Sequence, residues 1–586
     1  MSPVASGPVA ALVDYYNRLA RDPGQTVPEL GFSREKIHFQ AVLEPDGSLA
    51  ALEDIRDQSE QGRAVPRLLV VPDRGGRSGT AIKPFFCWDN TGYALGRDKK
   101  GNAERTERMF AAFRELHLAL RNELAGDKGY AALCRFLERW EPRKAEGLAN
   151  WEEAVGLNVV FKLRGREGFV HQSEAVKQVC RKVAESAGAD GNRGVSLVTG
   201  QEEDLARLHP LISGVVGTNT TGAAIVSFNL DAFGSYGKTQ SYNAPVGIHD
   251  AFRYTTALNH LLGDNARRVR IGDATVVFWT DRAEATDAED VFAAFFGEEA
   301  PTSDPAESGK MVDRLRAFLV AARQGRLVEQ VRDPEASFYV LGLSPNASRI
   351  NVRFWLAGTV AQFAERLVRH ADDLEMVGAR AGDPPLVIRR LLLETAREPK
   401  DIAPQLAGDV ARAVLGGLPY PQSLFAAVVR RVRADASVSH RRAAILKAFL
   451  VRNKHWEVPV ALNKDHPEEA YHLGRLFAAL EKSQEDAGGR DLNSTIKDRY
   501  FGAASATPAS VFPLLLRLHQ HHMNKIENVG LRVNRERLIG EICGHISRFP
   551  PHLPLEKQGL FHVAYYHQRQ DFFTKKDDAV KETVHA

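Results

Sequence analysis

From about Thr359 onward, no stretch of this 586-residue chain alternates apolar and polar residues with the period of two that a half-buried strand requires. Apolar residues recur there at helical spacing instead, over 359–376, 386–397, 405–415, 421–434, 440–453, 467–487, 508–526, 533–546 and 555–572. Asp383-Pro-Pro385, Gly416-Gly-Leu-Pro419 and Gly488-Gly489 punctuate the series. Before that point the patterns are mixed. The fold class read from this contrast is an α+β N-terminal region with hairpins and a mixed sheet, followed by an all-α C-terminal helical bundle. The domain division that follows is 1–365 and 366–586.

In the mixed part, Val9, Leu12, Val13, Tyr16 and Leu19 share one helical face. Ile37–Leu43 and Ser48–Leu52 flank the turn Glu44-Pro-Asp-Gly47 and predict a β-hairpin. Arg67–Val71, Leu157–Leu163, Val195–Thr199, Ala223–Phe228 and Ala274–Thr280 read as strands, and Ala103–Arg121, Tyr130–Trp140 and His171–Ala187 as helices. Asp73–Thr80 reads as a Gly/Arg-rich loop and Glu298–Gly309 as a polar linker. Phe338–Leu343 and Ile350–Leu356 predict a second hairpin. In its return strand Asn351, Arg353 and Trp355 fall on one face, either to track a phosphate backbone or simply to meet water.

The charge balance, 77 Lys+Arg against 74 Asp+Glu, demands that any surface for nucleic acid be local. The four cysteines, Cys87, Cys134, Cys180 and Cys543, lie far apart and form neither a zinc spacing nor a disulfide framework, as expected of a cytoplasmic protein. No apolar run is long enough for a membrane span, and no secretory leader is expected.

The sharpest candidate site is Gly234–Pro245, a polar loop ahead of a helix that starts near Asp250. Lys238 offers a cation; Gln240 and Asn243 offer amides with the donor and acceptor needed to read a base edge; Tyr236 and Tyr242 offer faces for stacking. Gly237 and Thr239 complete the candidate reading set, with Asn90 and Lys36 as further candidates. The competing reading is a structural loop whose amides satisfy its own backbone. For phosphate contact the candidates are Arg267 and Arg268 (with Arg270), and Arg430, Arg431, Arg433, Arg441 and Arg442 (with Lys447). Asp435 is the lone acid between 421 and 447.

Catalytic patterns are sparse. Val216–Gly222 lacks the Gly-Lys-Ser/Thr ending and the following helix of a phosphate loop. His519, His521 and His522 form an HxHH cluster without nearby carboxylates, and constitute the alternative reading, a metal-dependent nuclease. No catalytic residue, metal or cofactor is otherwise assigned.

The wording of Ser227–Leu262, together with Phe32–Ile37, Phe86–Thr91, Phe338–Phe354 and Ile496-Lys-Asp-Arg-Tyr-Phe-Gly502, resembles the large subunit of type I-C CRISPR interference complexes (Cascade). The resemblance implies a non-catalytic subunit that reads a protospacer-adjacent motif in target double-stranded DNA and promotes duplex opening and R-loop formation. It implies as partners the guide RNA, the backbone subunits, the subunit that caps the guide's 5′ handle, and a helicase–nuclease. It further implies a small subunit translated from the same gene, here corresponding to Tyr471–Ala586. The internal methionines, Met109, Met311, Met376 and Met523, do not supply a start near residue 471.

Overall fold

The computed structural model describes residues 7–22, 25–58, 62–74, 81–99, 102–188, 191–219, 221–282, 286–296, 305–379, 386–488 and 494–573. The loop tip expected at 75–80, the start of the linker at 298–304 and the Pro-Pro break at 383–385 lie outside them. The architecture is α+β followed by a helical region, as the sequence pattern predicts. Contacts divide the chain into two compact units: residues 9–212 with 226–259, and residues 1–8, 213–225 and 260–586.

In the first unit the hairpin predicted around Glu44–Gly47 forms, from Phe39–Leu43 and Leu49–Asp54. Phe39–Leu43 is buried along its whole length because it is an interior strand: Asn158–Leu163 pairs with it in parallel on its other side. Trp88–Asn90 completes a four-stranded sheet. Helices Ala103–Ala119 and Lys128–Arg139 bring Phe113, Tyr130, Leu133 and Phe136 into one apolar core with Phe39, Ala41 and Phe161 of this sheet. A separate ribbon pairs Phe32–Ile37 with Arg67–Pro72. Among the residues read as Val195–Thr199, only the first is in a strand: Arg193–Val195 pairs with Glu202–Asp204.

In the second unit Arg268–Ile271, Ala274–Thr280, Ser337–Asn346 and Arg349–Thr359 form a four-stranded antiparallel sheet. Val276, Phe278, Phe338, Val340 and Phe354 enter a core that continues through the helices to Tyr566. The sheet passes into the helical region without a spacer. Thr359, the last strand residue, is the N-cap of Val360–Asp373 in a capping box with Gln362, its hydroxyl accepting the Gln362 amide at 3.2 Å. The helices expected beyond it are present, and one more, Ile496–Ala506, lies between two of them. Its N-terminus is closed by a second capping box, between Thr495 and Asp498. The helix after the expected linker begins at Pro305, inside that linker.

Two further strand expectations are corrected. Ala223–Phe228 is not a strand; it carries only isolated bridges at Ala223 and Ala224, the latter to Arg349. The strand Arg349–Thr359 does not alternate faces throughout, because the register shifts opposite Gly342 and Leu343. Val352 is therefore exposed, and Arg353 pairs with Asp273 at 2.6 Å rather than standing in line with Trp355. Trp355 stacks on Tyr339, with ring centroids 5.5 Å apart and planes 7° from parallel.

Candidate nucleic-acid interface

The loop read as the candidate site is a small built hairpin. The Lys238 amide donates to the Ser235 carbonyl at 2.9 Å, and Tyr236 and Gly237 between them have φ of +52° and +71°. Two positive φ values at the centre define a type I′ turn, whose twist suits a hairpin but whose first position favours Asn, Asp or Gly. Gly234 sits in a tight place: a Cβ there would lie 3.1 Å from the Lys238 carbonyl oxygen and 3.2 Å from that of Asp231. Gln240, at φ +49°, bends the chain again into the short 3₁₀ turn Gln240–Asn243.

Asn243 holds these bends together. Its Oδ1 accepts the Ser235 amide at 2.9 Å, and its Nδ2 donates to the carbonyls of Lys238 and Gln240, each at 3.0 Å. Every polar atom of the carboxamide is thus engaged with backbone. Both Nδ2 hydrogens and one acceptor position of Oδ1 are used inside the loop, which leaves Asn243 little to offer a base edge. Tyr242 is half-buried, with its hydroxyl buried and without a hydrogen-bond partner among the described residues.

What the hairpin leaves outward is Tyr236, Lys238 and Gln240. Tyr236 is 99% exposed at the turn tip. Lys238 and Thr239 are exposed, and Gln240 is half-buried. None of the Tyr236, Lys238 and Gln240 side chains forms a hydrogen bond or ion pair with another described residue. An aromatic face, a cation and an amide are therefore offered together on one closed loop. Gly237 has open space around it and serves the turn through its φ.

The two other reading candidates sit elsewhere in the same unit. Asn90 is the N-cap of the short helix Thr91–Ala94, its Oδ1 accepting the Gly92 amide at 3.0 Å. Lys36 is exposed on the ribbon strand Phe32–Ile37 and makes no ion pair there.

The arginine clusters divide by what reaches them. Arg267 is held between Asp264 and the buried Glu289, and Arg268 donates to the Leu262 carbonyl and to Asn265. Arg431 pairs with Asp435 at 2.5 Å. Arg442 reaches both Asp435 and Glu394, at 2.7 and 3.1 Å. Lys447 is buried and donates to the carbonyls of Asp372 and Asp373. In this structure these five serve as internal ties. Arg430 and Arg433 remain exposed on Gln422–Asp435 with no hydrogen bond or ion pair to a described residue, and Arg441 is exposed with a long 3.8 Å approach to Glu394.

One basic residue was missed with its helix. Gly502 of Ile496–Ala506 lies against the Arg433 side chain, and the exposed Arg499 stands about one turn earlier on that helix. The signal was present in Thr495 followed by Asp498, a capping-box spacing.

The histidine cluster does not assemble a metal centre. His519 is buried, His521 is exposed and His522 is half-buried. Burial pushes the His519 pKa down. Among the described residues no three His, Cys, Asp or Glu side chains are grouped to hold a metal ion. No described helix is long and apolar enough to cross a membrane.

None of the curated proteins compared with the chain matches it. The family model for the CRISPR-associated protein (Cas_Csd1) matches residues 12–573, which takes in both compact units and all of the elements described above. The chain belongs to this family of CRISPR-associated proteins.

Proposed function

We propose that this chain is the non-catalytic large subunit of a type I-C RNA-guided surveillance complex, and that it reads the protospacer-adjacent motif of double-stranded DNA through the Ser235–Asn243 hairpin. The observation that carries this reading is the set Tyr236, Lys238 and Gln240, whose side chains bond to no other described residue, on a loop whose backbone is tied together by Asn243. Lys238 and Gln240 supply the donor and the paired donor–acceptor that distinguish base edges, and Tyr236 supplies a face that can rest on an unstacked base. Guide pairing supplies most of the sequence specificity in such a complex, so the protein needs one short reading element rather than a long recognition surface. Arg430, Arg433, Arg441 and Arg499 would hold nucleic-acid backbone in the helical region, alongside the guide RNA and the displaced strand. Duplex opening, R-loop formation and helicase–nuclease recruitment belong to the same proposal. So do contacts with the backbone and 5′-handle-capping subunits and with a small subunit from the same gene.

The test is made on the assembled, guide-loaded complex. Affinities for target duplexes with intact and scrambled adjacent motif are compared at one salt concentration for wild type, Lys238→Ala and Gln240→Ala. A direct base contact predicts loss of about 1–3 kcal/mol of discrimination, with binding to a pre-opened target retained. An unchanged intact-over-scrambled ratio in both variants refutes motif reading by this hairpin.

A further inference from the structure

We infer that Asn243 is the positioning residue of this hairpin: it does not touch the ligand, and it sets the direction in which Lys238 and Gln240 are presented. The inference rests on the function proposed above and adds a role for a residue that makes no outward contact.

The argument starts from the length of the hairpin. Ser235 and Lys238 are the only residues bridged across it, and two residues fill the turn. A two-stranded hairpin this short lacks the ladder and the apolar face that would hold it in water. Tyr236 adds to the difficulty, because a side chain other than Gly or Asn in the left-handed region costs roughly 1–2 kcal/mol. Gln240 repeats that cost four residues later. The loop therefore needs an additional tie, and Asn243 is the side chain that supplies it.

The choice of partners matters more than their number. The two carbonyls that Nδ2 holds belong to Lys238 and Gln240, the residues whose side chains point to nothing else in the chain. Fixing a residue's carbonyl fixes the peptide plane beside its Cα, and so restricts where its side chain can start. The Oδ1 bond to the Ser235 amide closes the opposite arm. One carboxamide thus ties both arms and the second bend. A carboxylate of the same shape would keep the Ser235 bond and face two carbonyl oxygens with no hydrogen to give them.

The test uses the assembled complex and Asn243→Asp, Asn243→Ala and Lys238→Ala/Asn243→Ala, beside Lys238→Ala. In both Asn243 single variants the intact-over-scrambled ratio is expected to fall about tenfold, within the range of a lost base contact. Affinity for a pre-opened target is expected to stay near wild type. Amide hydrogen exchange at Ser235 and Lys238 is expected to speed up in Asn243→Ala. The double variant should lose less discrimination than the sum of the two single losses, because Asn243 acts in part through Lys238. Wild-type discrimination by the near-isosteric Asn243→Asp, or an additive loss in the double variant, overturns the inference. Failure of the underlying reading looks different: Lys238→Ala and Gln240→Ala then leave the ratio intact, and a positioning role in motif reading falls with them. Faster exchange in Asn243→Ala would in that case mark a purely structural clamp.

Discussion

The Arg442 guanidinium donates to the Asp435 carboxylate at 2.7 Å and, through its Nε, to Glu394 at 3.1 Å. Glu394 stands 48 residues earlier in the chain. Two acids therefore hold a cation that its own sequence neighbourhood presents as free. Arg442→Ala is expected to destabilise the helical region by about 1–3 kcal/mol, since it strands partly buried charge. Arg430→Ala and Arg433→Ala are expected to leave stability within about 0.5 kcal/mol. In salt titrations of nucleic-acid affinity, each of these two should reduce the slope of log K against log salt by about 1. An unchanged slope in the double variant would remove these arginines from the backbone contacts.

Tyr236 occupies a turn position that favours asparagine. Tyr236→Asn makes the central dipeptide Asn-Gly, the strongest type I′ signal, and is expected to maintain or raise the stability of the folded chain. It is expected at the same time to weaken binding to motif-bearing duplex by about 1–3 kcal/mol, the usual worth of a stacked base. Thermal unfolding and equilibrium binding of one sample separate the two effects. Undiminished binding would show that the aromatic ring is idle.

Gly474 of the helix Glu469–Gly488 crosses Leu555–Asp571 where a Cβ would collide with the Phe561 carbonyl oxygen and sit 3.0 Å from Ala564 Cβ. Backbone cannot yield as a side-chain tip can. Gly474→Ala is expected to cost about 1–3 kcal/mol despite its better helix propensity. Denaturant unfolding of the variant checks this; a gain in stability would mean that the two helices can separate without loss.

His117 sits wholly inside the first unit's core. Its Nε2 accepts the Cys87 amide at 2.8 Å and its Nδ1 donates to the Phe113 carbonyl at 2.7 Å. Burial pushes its pKa down to about 4, against the Phe113 bond, which acts to raise it. The unfolded chain takes up this proton near pH 6.5 and the folded chain resists it, so the stabilisation present above about pH 6.5 is lost as pH falls toward 4. His171 and His209, both pushed to about 4 by burial, act in the same direction. The thermal midpoint is expected to drop steadily between these limits. His117→Phe should be less stable at neutral pH and show a shallower acid slope, by up to roughly 1.4 kcal/mol per pH unit. An equal slope in both proteins would show that His117 does not bear the titration.

Local pattern carried much of the fold. Glu44-Pro-Asp-Gly47 located one hairpin, and the apolar runs around Ser344–Ser348 located another. What it lacked was the identity of distant neighbours. The parallel partner of Phe39–Leu43 lies more than a hundred residues away, and no local signal names it. Ala223–Phe228 has the composition of a strand, but its pairing is limited to isolated bridges at Ala223 and Ala224, so composition alone did not make it one. At the candidate site the same limit applied. Asn243 and Gln240 are both amides in one polar loop, and only the fold-back of Ser235 and Lys238 onto Asn243 separates the tie from the outward group. The helix Ile496–Ala506 was obscured by Gly502 and by small residues that carry little periodicity.

The separation of work within Ser235–Asn243 also bears on how such a protein diversifies. Tyr236, Lys238 and Gln240 contribute no side-chain bond to the rest of the chain, whereas Gly234, Gly237 and Asn243 fix the path of the backbone. Exchange at Lys238 needs no compensating change elsewhere, exchange at Tyr236 and Gln240 is limited by their positive φ, and loss of Asn243 unties the backbone. A lineage that must change its preference can therefore do so first at Lys238, by a single substitution that leaves the chain folded.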